Sequence, residues 1–159
     1  MTSRLEWVRT SPRAAQALFN LQTPVNDCGL EHTLLELVKL RASQLNGCAY
    51  CIDMHTKDAR AAGETEQRLY LLDAWHEAPH LYSERERAAL EWTEAVTLVS
   101  AGHAPDDAYE RTRAQFNDAE LIGLTLAIAA VNSWNRMNIA FRVEAGGYRP
   151  GMFKNLKLA

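Results

Sequence analysis

The sequence predicts an all-α fold, a single-domain bundle of six or seven helices. Apolar residues recur at three- and four-residue intervals along most of the chain, and no run of alternating β-branched residues occurs. Glycine and proline separate these segments by short connections, which favours antiparallel neighbours. The chain has 159 residues, 47% hydrophobic and 23% charged, as is typical of one globular domain, here spanning 1–159.

Each helix of the first half can be placed from its pattern and its end signals. Leucine and valine recur at helical spacing through 30–45, and Asn46-Gly47 is a helix stop. A second helix begins at or near Cys48 and runs to about residue 63. The segment 64–78 has a third helical pattern, which Pro79 closes.

The second half contains two capping signals. Ser83 and Glu86 predict a capping box for a helix over 83–102, and Asn117 with Glu120 can cap a long helix over 117–143. A shorter helix over 105–116 lies between them. The irregular tail that follows contains Gly146, Gly147, Pro150 and Gly151.

Charge and hydropathy exclude several classes of protein. The formal net charge is −3 and no cluster of Lys and Arg occurs, so we expect neither nucleic acid nor a membrane surface as a partner. The first residues have no apolar stretch typical of a secretory signal, and the longest apolar run, 121–131, is too short to span a bilayer. These features predict a cytoplasmic protein, in which cysteines stay reduced.

The segment "NGCAYCIDMH" (46–55) contains the motif that carries chemistry. Cys48 and Cys51 lie three residues apart and His55 follows four residues later, so the three side chains share one helical face. Both thiols fall in the first turn, where unpaired backbone N–H groups and the helix dipole lower a thiol pKa. A thiolate attacks a peroxide or a disulfide, and the second cysteine can close a disulfide on the product. His55 can hold or deliver a proton.

Glu36 is the carboxylate that completes a candidate proton relay. If the helices before and after Gly47 form a hairpin, Glu36 lies about 15 Å back from the turn and His55 about 12 Å forward, so they are roughly level. The apolar neighbours of Glu36 predict a raised pKa for its carboxyl, which Lys39 and Arg41 would oppose.

Other interpretations of the cysteines stay open at this point. A thioredoxin fold is disfavoured, because the motif follows a helix and not a strand. The two thiols can also be small buried apolar groups. A structural zinc site would use a set of four ligands with zinc-like spacing. Its members are Cys28, His32, Cys48 and Cys51, with His55 and Glu36 as further candidates.

The spacing Glu36-x11-Cys48-x2-Cys51-x3-His55 resembles the alkylhydroperoxidase D family of the carboxymuconolactone decarboxylase superfamily. The stretches "ERERAALEWTEAVT" and "NSWNRMNIAFR" are similar to the same family, and the likeness covers about 4–145, which we take as the core of the domain.

The resemblance implies a thiol-dependent peroxidase or disulfide reductase that needs no cofactor and forms homo-oligomers, trimers or hexamers. Cys51 would attack the peroxide, Cys48 would resolve the product, and Glu36 with His55 would relay protons. A lipoyl-bearing or thioredoxin-like protein would supply the reducing dithiol. Where well-known members have a histidine just before the second cysteine, this chain has Tyr50, a poor base near neutrality.

Three alternatives accompany this reading of the function. One is a disulfide reductase or redox sensor with little peroxidase activity. The second is a binding or decarboxylase-like protein without redox chemistry, although the decarboxylase branch lacks the cysteine pair. The third is a zinc-stabilised protein on the same scaffold.

Overall fold

The computed structural model of the chain describes residues 2–153; Met1 and 154–159 of the predicted domain lie outside the described residues. The all-α prediction is confirmed, with nine α-helices in this part of the chain, seven of which have six or more residues. The α-helices are α1 Trp7–Thr10, α2 Pro12–Asn26, α3 His32–Asn46, α4 Ala49–Ala61, α5 Glu66–Leu71, α6 Glu84–Thr97, α7 Val99–Gly102, α8 Asp106–Arg113 and α9 Asp118–Phe141.

Helix α3 lies at the centre of the bundle, in contact with α4, α6 and α9. One face of α3 joins a core between α6 and α9, which contains Val38, Trp92 and Ile128. The other face joins a second core toward α4, which contains Leu40 and Leu72. Because apolar side chains surround α3, its polar residues are held in fixed positions by their neighbours.

The predicted end signals place the long helices correctly. Ser83 and Asn117 each form a capping box, with Glu86 and Glu120 respectively. Gly47 ends α3 in the left-handed conformation, at φ 68°, a conformation that favours glycine.

Two predicted helices are interrupted. In the segment 64–78, α5 ends at Leu71 and a 3₁₀ helix, Leu72–Glu77, follows; Ala74 inside it has non-helical angles. This tighter turn buries Trp75, whose indole N–H donates to Glu94 Oε1 at 2.7 Å. The segment 83–102 divides at Leu98, the C-cap of α6, before the short α7.

The residues after α9 are not helical, yet they are attached to α4. Lys57 Nζ donates to the backbone carbonyls of Gly146 and Tyr148, at 3.0 and 3.1 Å. The hydroxyl of the buried Tyr148 donates to the carboxylate of Asp58 at 2.9 Å. This segment therefore forms a wall beside α4. Within residues 2–153, no helix combines the length and the apolarity needed to cross a membrane.

Candidate functional site

The cysteine pair lies at the start of α4, as the sequence predicts. Cys48 is the N-cap residue, and its backbone N–H donates to the carbonyl of Ser43 in the last turn of α3 at 2.9 Å. Cys51 lies in the first turn of α4. Both thiols are reduced and buried, with 1% of Cys48 and 0% of Cys51 exposed.

The two thiols titrate as a pair. The thiol of Cys51 donates to the sulfur of Cys48, and this bond is the largest influence lowering the pKa of Cys48 to about 7. Burial opposes that shift, while the first-turn N–H groups of Cys51 and Tyr50 support it. The same bond, followed by burial, raises the pKa of Cys51. The pair therefore loses one proton near neutrality and keeps the other.

Glu36 and His55 meet across the hairpin of α3 and α4. His55 Nδ1 lies 2.8 Å from Glu36 Oε2, and Lys39 Nζ donates to Glu36 Oε1 at 2.9 Å. Glu36 and His55 are buried, with 3% and 7% exposed. The predicted register of these two residues is confirmed.

The predicted direction of the Glu36 pKa shift is wrong. Burial raises this pKa, but the hydrogen bond and charge of His55, together with Lys39, outweigh burial and lower it to about 2. Lys39 thus opposes the effect of burial as expected, whereas Arg41 pairs instead with Asp73 and Glu94.

The negative charge of Glu36 determines that His55 carries a hydrogen on Nδ1. An ionised carboxylate only accepts hydrogen bonds, so His55 Nδ1 carries the hydrogen that Glu36 accepts. When the imidazole is neutral, the other ring nitrogen, Nε2, therefore carries the lone pair. His55 is therefore arranged to receive a proton, with Glu36 stabilising the imidazolium that forms.

Sequence reasoning missed the asparagines of α9. Asn138 Nδ2 donates to Cys51 Sγ at 3.2 Å, and Asn135 Nδ2 donates to Ser43 Oγ at 3.1 Å. Asn46 Nδ2 donates to both Asn135 and Asn132, at 2.8 and 2.9 Å. The signal was present in "NSWNRMN", where asparagines recur every three residues on an otherwise apolar helix.

A cleft of about 930 Å³ lies beside the cysteine pair. His55, Asn138 and Tyr50 line it, whereas the two cysteines do not. Aromatic side chains form much of the remaining wall, and the segment after α9 contributes to it. They are Trp7, Phe19, Trp134, Tyr148 and Phe153. The sulfur atoms therefore lie one side chain behind the surface of the cleft.

Tyr50 lies between the two cysteines in sequence and lines the cleft. Its hydroxyl does not act as a base near neutrality. Burial, followed by the charges of Cys51 and Asp53, raises the pKa of its hydroxyl to about 12. The side chain is half-buried and neutral at physiological pH. Proton transfer near neutrality therefore falls to His55.

Only one group of potential metal ligands is assembled among residues 2–153. Glu36, His55 and Asp58 each offer a ligand atom within 4.8 Å of the others. Lys39 and Tyr148 already bond the two carboxylates. Of the zinc candidates, Glu36 and His55 belong to this group, whereas Cys28, His32, Cys48 and Cys51 do not assemble into one in this part of the chain.

Cys28, one member of that zinc set, packs elsewhere. It lies against Gly123 of α9, where a side-chain Cβ would come within 2.8 Å of the Cys28 Cβ. Cys28 is thus a packing residue in this fold, apart from the cysteine pair.

The sequence matches the family model of the carboxymuconolactone decarboxylase family over residues 12–95. The chain belongs to this family. The matched segment is more than half of the chain and contains Glu36, both cysteines of the motif and His55.

Relatives agree with membership of the carboxymuconolactone decarboxylase family. YdfG of Bacillus subtilis (strain 168) is 42% identical over 140 residues, which cover 88% of this chain and 95% of YdfG. The crystal structure of ATU0492 from Agrobacterium tumefaciens matches with a TM-score of 0.89 and 44% identity, covering 92% of this chain and all of that one. ATU0492 has no established function and has been ascribed to antioxidant defence as an AhpD.

More distant structures share the fold. The debrominase Bmp8 matches with a TM-score of 0.74 and 20% identity, covering 87% of this chain and 74% of Bmp8. At that identity the likeness concerns the helical scaffold alone. Among the close relatives, ATU0492 suggests the AhpD-like antioxidant group, and the reaction must be argued from this chain's own residues.

Proposed function

We propose that this protein is a thiol-dependent peroxidase that reduces hydroperoxides with the Cys48–Cys51 pair. The observation that carries the proposal is the placement of two buried thiols at the start of α4, beside a His55–Glu36 pair in which the neutral imidazole has a nitrogen able to accept a proton. A single thiolate near neutrality, with a base one helical turn away, meets the requirements for nucleophilic attack on an O–O bond.

Cys51 is the sulfur that attacks in this proposal. Its neighbours His55 and Asn138 line the cleft from which a substrate would arrive, and Asn138 donates to its sulfur. His55 takes the proton of Cys51 as the sulfur attacks the terminal peroxide oxygen. The O–O bond breaks, Cys51 becomes a sulfenic acid, and the alkoxide takes the proton from His55 and leaves as an alcohol.

Cys48 then completes the oxidative half of the cycle. Its thiolate attacks the sulfur of the Cys51 sulfenic acid, an S–S bond forms, and hydroxide leaves as water after it takes up one proton. An external dithiol reduces this disulfide and is itself oxidised. We propose a lipoyl-bearing or thioredoxin-like protein as the reductant, and a homo-oligomer, trimer or hexamer, as the functional unit.

A disulfide reductase is the second candidate, and one observation favours it. Tyr50 supplies no base between the two cysteines, which leaves His55 to manage each proton transfer to the peroxide. Reduction of a disulfide demands less, because the leaving thiolate needs no proton from a strong acid.

Stopped-flow titration of the reduced protein separates the two candidates. Hydrogen peroxide, a bulky alkyl hydroperoxide and a small disulfide are each mixed with the protein, and the products are identified by mass spectrometry. The peroxidase predicts loss of two thiols per peroxide and a Cys48–Cys51 disulfide. Faster reaction with the disulfide than with either peroxide would favour the reductase, and inert thiols would overturn both.

A further inference from the structure

The side-chain amide of Asn138 donates a hydrogen bond to the sulfur of Cys51. Its Nδ2 lies 3.2 Å from Cys51 Sγ, and both residues are buried, with 6% of Asn138 and 0% of Cys51 exposed. Asn138 belongs to α9, whereas Cys51 belongs to α4, so this bond joins two packed helices at the centre of the site.

We propose that Asn138 is a catalytic residue of this site, whose side-chain amide stabilises negative charge on Cys51 Sγ and holds that sulfur toward the cleft. The kinetic consequence of this role rests on the proposed peroxidase function. The effect on the charge of Cys51 does not, because it concerns the reduced protein alone.

An uncharged donor suits this position for a physical reason. A hydrogen bond strengthens when its acceptor is ionised, and more so in a buried site where water cannot compete. An amide keeps its N–H at every pH, whereas His55 loses its donor as it changes protonation state. Asn138 therefore provides a constant stabilisation of the thiolate, also when Cys51 leaves as a thiolate during reduction of the disulfide.

The surrounding network keeps α9 in the register that this bond needs. Asn135, one turn before Asn138, donates to Ser43 Oγ and accepts from Asn46, two residues of α3. Asn135 also contributes to the lowered pKa of Cys48. The i, i+3 spacing of Asn135 and Asn138 thus matches the i, i+3 spacing of Cys48 and Cys51, one amide for each thiol.

Removal of the Asn138 amide should slow the reaction near neutrality and have little effect on its rate at alkaline pH. Without Asn138, the negative charge that develops on Cys51 Sγ as His55 takes its proton is less stabilised, so attack near neutrality slows. The thiolate that does form is more basic and at least as nucleophilic, because nucleophilicity rises with thiol pKa. The rates of variant and parent should therefore converge at alkaline pH, which a distorted site would not reproduce.

The test is a titration of Cys51 in a Cys28→Ser, Cys48→Ser background, where it is the remaining cysteine. Asn138→Leu has similar size and no donor. We expect the midpoint of the Cys51 titration, followed by thiolate absorbance at 240 nm, to rise by about one pH unit. This is the scale of one hydrogen bond to a charged group. In the background with all cysteines, the peroxide rate at pH 6 should fall about 10-fold and approach the parent rate at alkaline pH.

Asn132→Leu is the matched control, because Asn132 is a buried asparagine on the same face of α9 that bonds Asn46 and Thr97. This substitution should leave the midpoint of the Cys51 titration unchanged. Asn138→Asp keeps the shape of the side chain, removes the donor and adds negative charge, so it should raise the midpoint of the Cys51 titration further. This variant replaces Asn138→Leu if the leucine variant does not fold. An unchanged Cys51 titration in the folded Asn138 variants, or an equal shift in Asn132→Leu, would overturn the proposal.

Discussion

Two walls enclose the cysteine pair, and they differ in chemistry. The relay wall consists of Glu36, Lys39 and His55 on α3 and α4, all ionisable and bonded to one another at 2.8–2.9 Å. The amide wall consists of Asn135 and Asn138 on α9, which are neutral at every pH and buried.

The difference separates two tasks that a thiol site must perform. A group that moves a proton must change its charge, and its neighbours must compensate for that change, as Glu36 and Lys39 do for His55. A group that fixes a sulfur must keep the same donor throughout. The variants below test this division, because changes in the relay wall should alter pH dependence more than geometry.

The largest effect should come from removing the sulfur that attacks the peroxide in the proposed cycle. Cys51→Ser should abolish peroxide turnover, because a serine hydroxyl is not ionised near neutrality and cannot form the sulfenic acid. Turnover is measured by peroxide consumption with an excess of dithiol. Cys28→Ser is the control and should keep full activity, since Cys28 packs against Gly123 away from the pair. Full activity in Cys51→Ser would refute the proposed function.

The next effect should come from the relay wall. Glu36→Gln removes the charge that stabilises the imidazolium of His55, and we expect the peroxide rate near pH 7 to fall about 100-fold, the lower end of what general acid–base groups contribute. The pH–rate profile should change shape as well. Glu94→Gln is the matched control, because Glu94 is a partly buried acid bonded to Arg41 and Trp75 outside the site. A Glu36→Gln profile identical to the parent's would argue against the relay.

The Glu36 carboxylate should also make the free energy of unfolding depend on pH in the acid range. The pKa of Glu36 is lowered to about 2 from an ordinary 4.5, so its ionised form stabilises the folded state above pH 4.5. This contribution, about 3 kcal/mol, is lost as the pH falls from 4.5 toward 2. Urea unfolding of the parent should therefore show a steeper loss of stability over that range than unfolding of Glu36→Gln. Parallel curves would show that Glu36 titrates normally.

The smallest effect should come from Tyr50. Its pKa of about 12 excludes it as a base near neutrality, so Tyr50→Phe should change the peroxide rate by less than about threefold. Tyr50→His would add an ionisable group between the cysteines and should move the thiolate titration, followed at 240 nm. A large loss of rate in Tyr50→Phe would instead assign the hydroxyl a place in the proton relay.

Sequence reasoning found one wall and missed the other. Glu36 and His55 could be paired because helical rise and a single turn at Gly47 fix their relative height. Asn138 is 87 residues from Cys51 in sequence, and the angle at which α9 crosses α4 depends on packing that no local pattern specifies. The Glu36 pKa was misjudged because apolar neighbours in sequence say nothing of a histidine brought from another helix. The break at Ala74 was missed because it serves the burial of Trp75, a tertiary contact.

Gly47 joins the two helices that carry Glu36 and His55, and each residue lies well along its helix from that turn. The two residues therefore lie about 15 and 12 Å along their helices from the point where the helices join. A change of about 5° in the angle between the helices would displace either residue by about 1 Å, enough to break a 2.8 Å hydrogen bond. The packing of α3 against α6 and α9 thus sets the alignment of the relay, and substitutions in those packing surfaces would be amplified at the site.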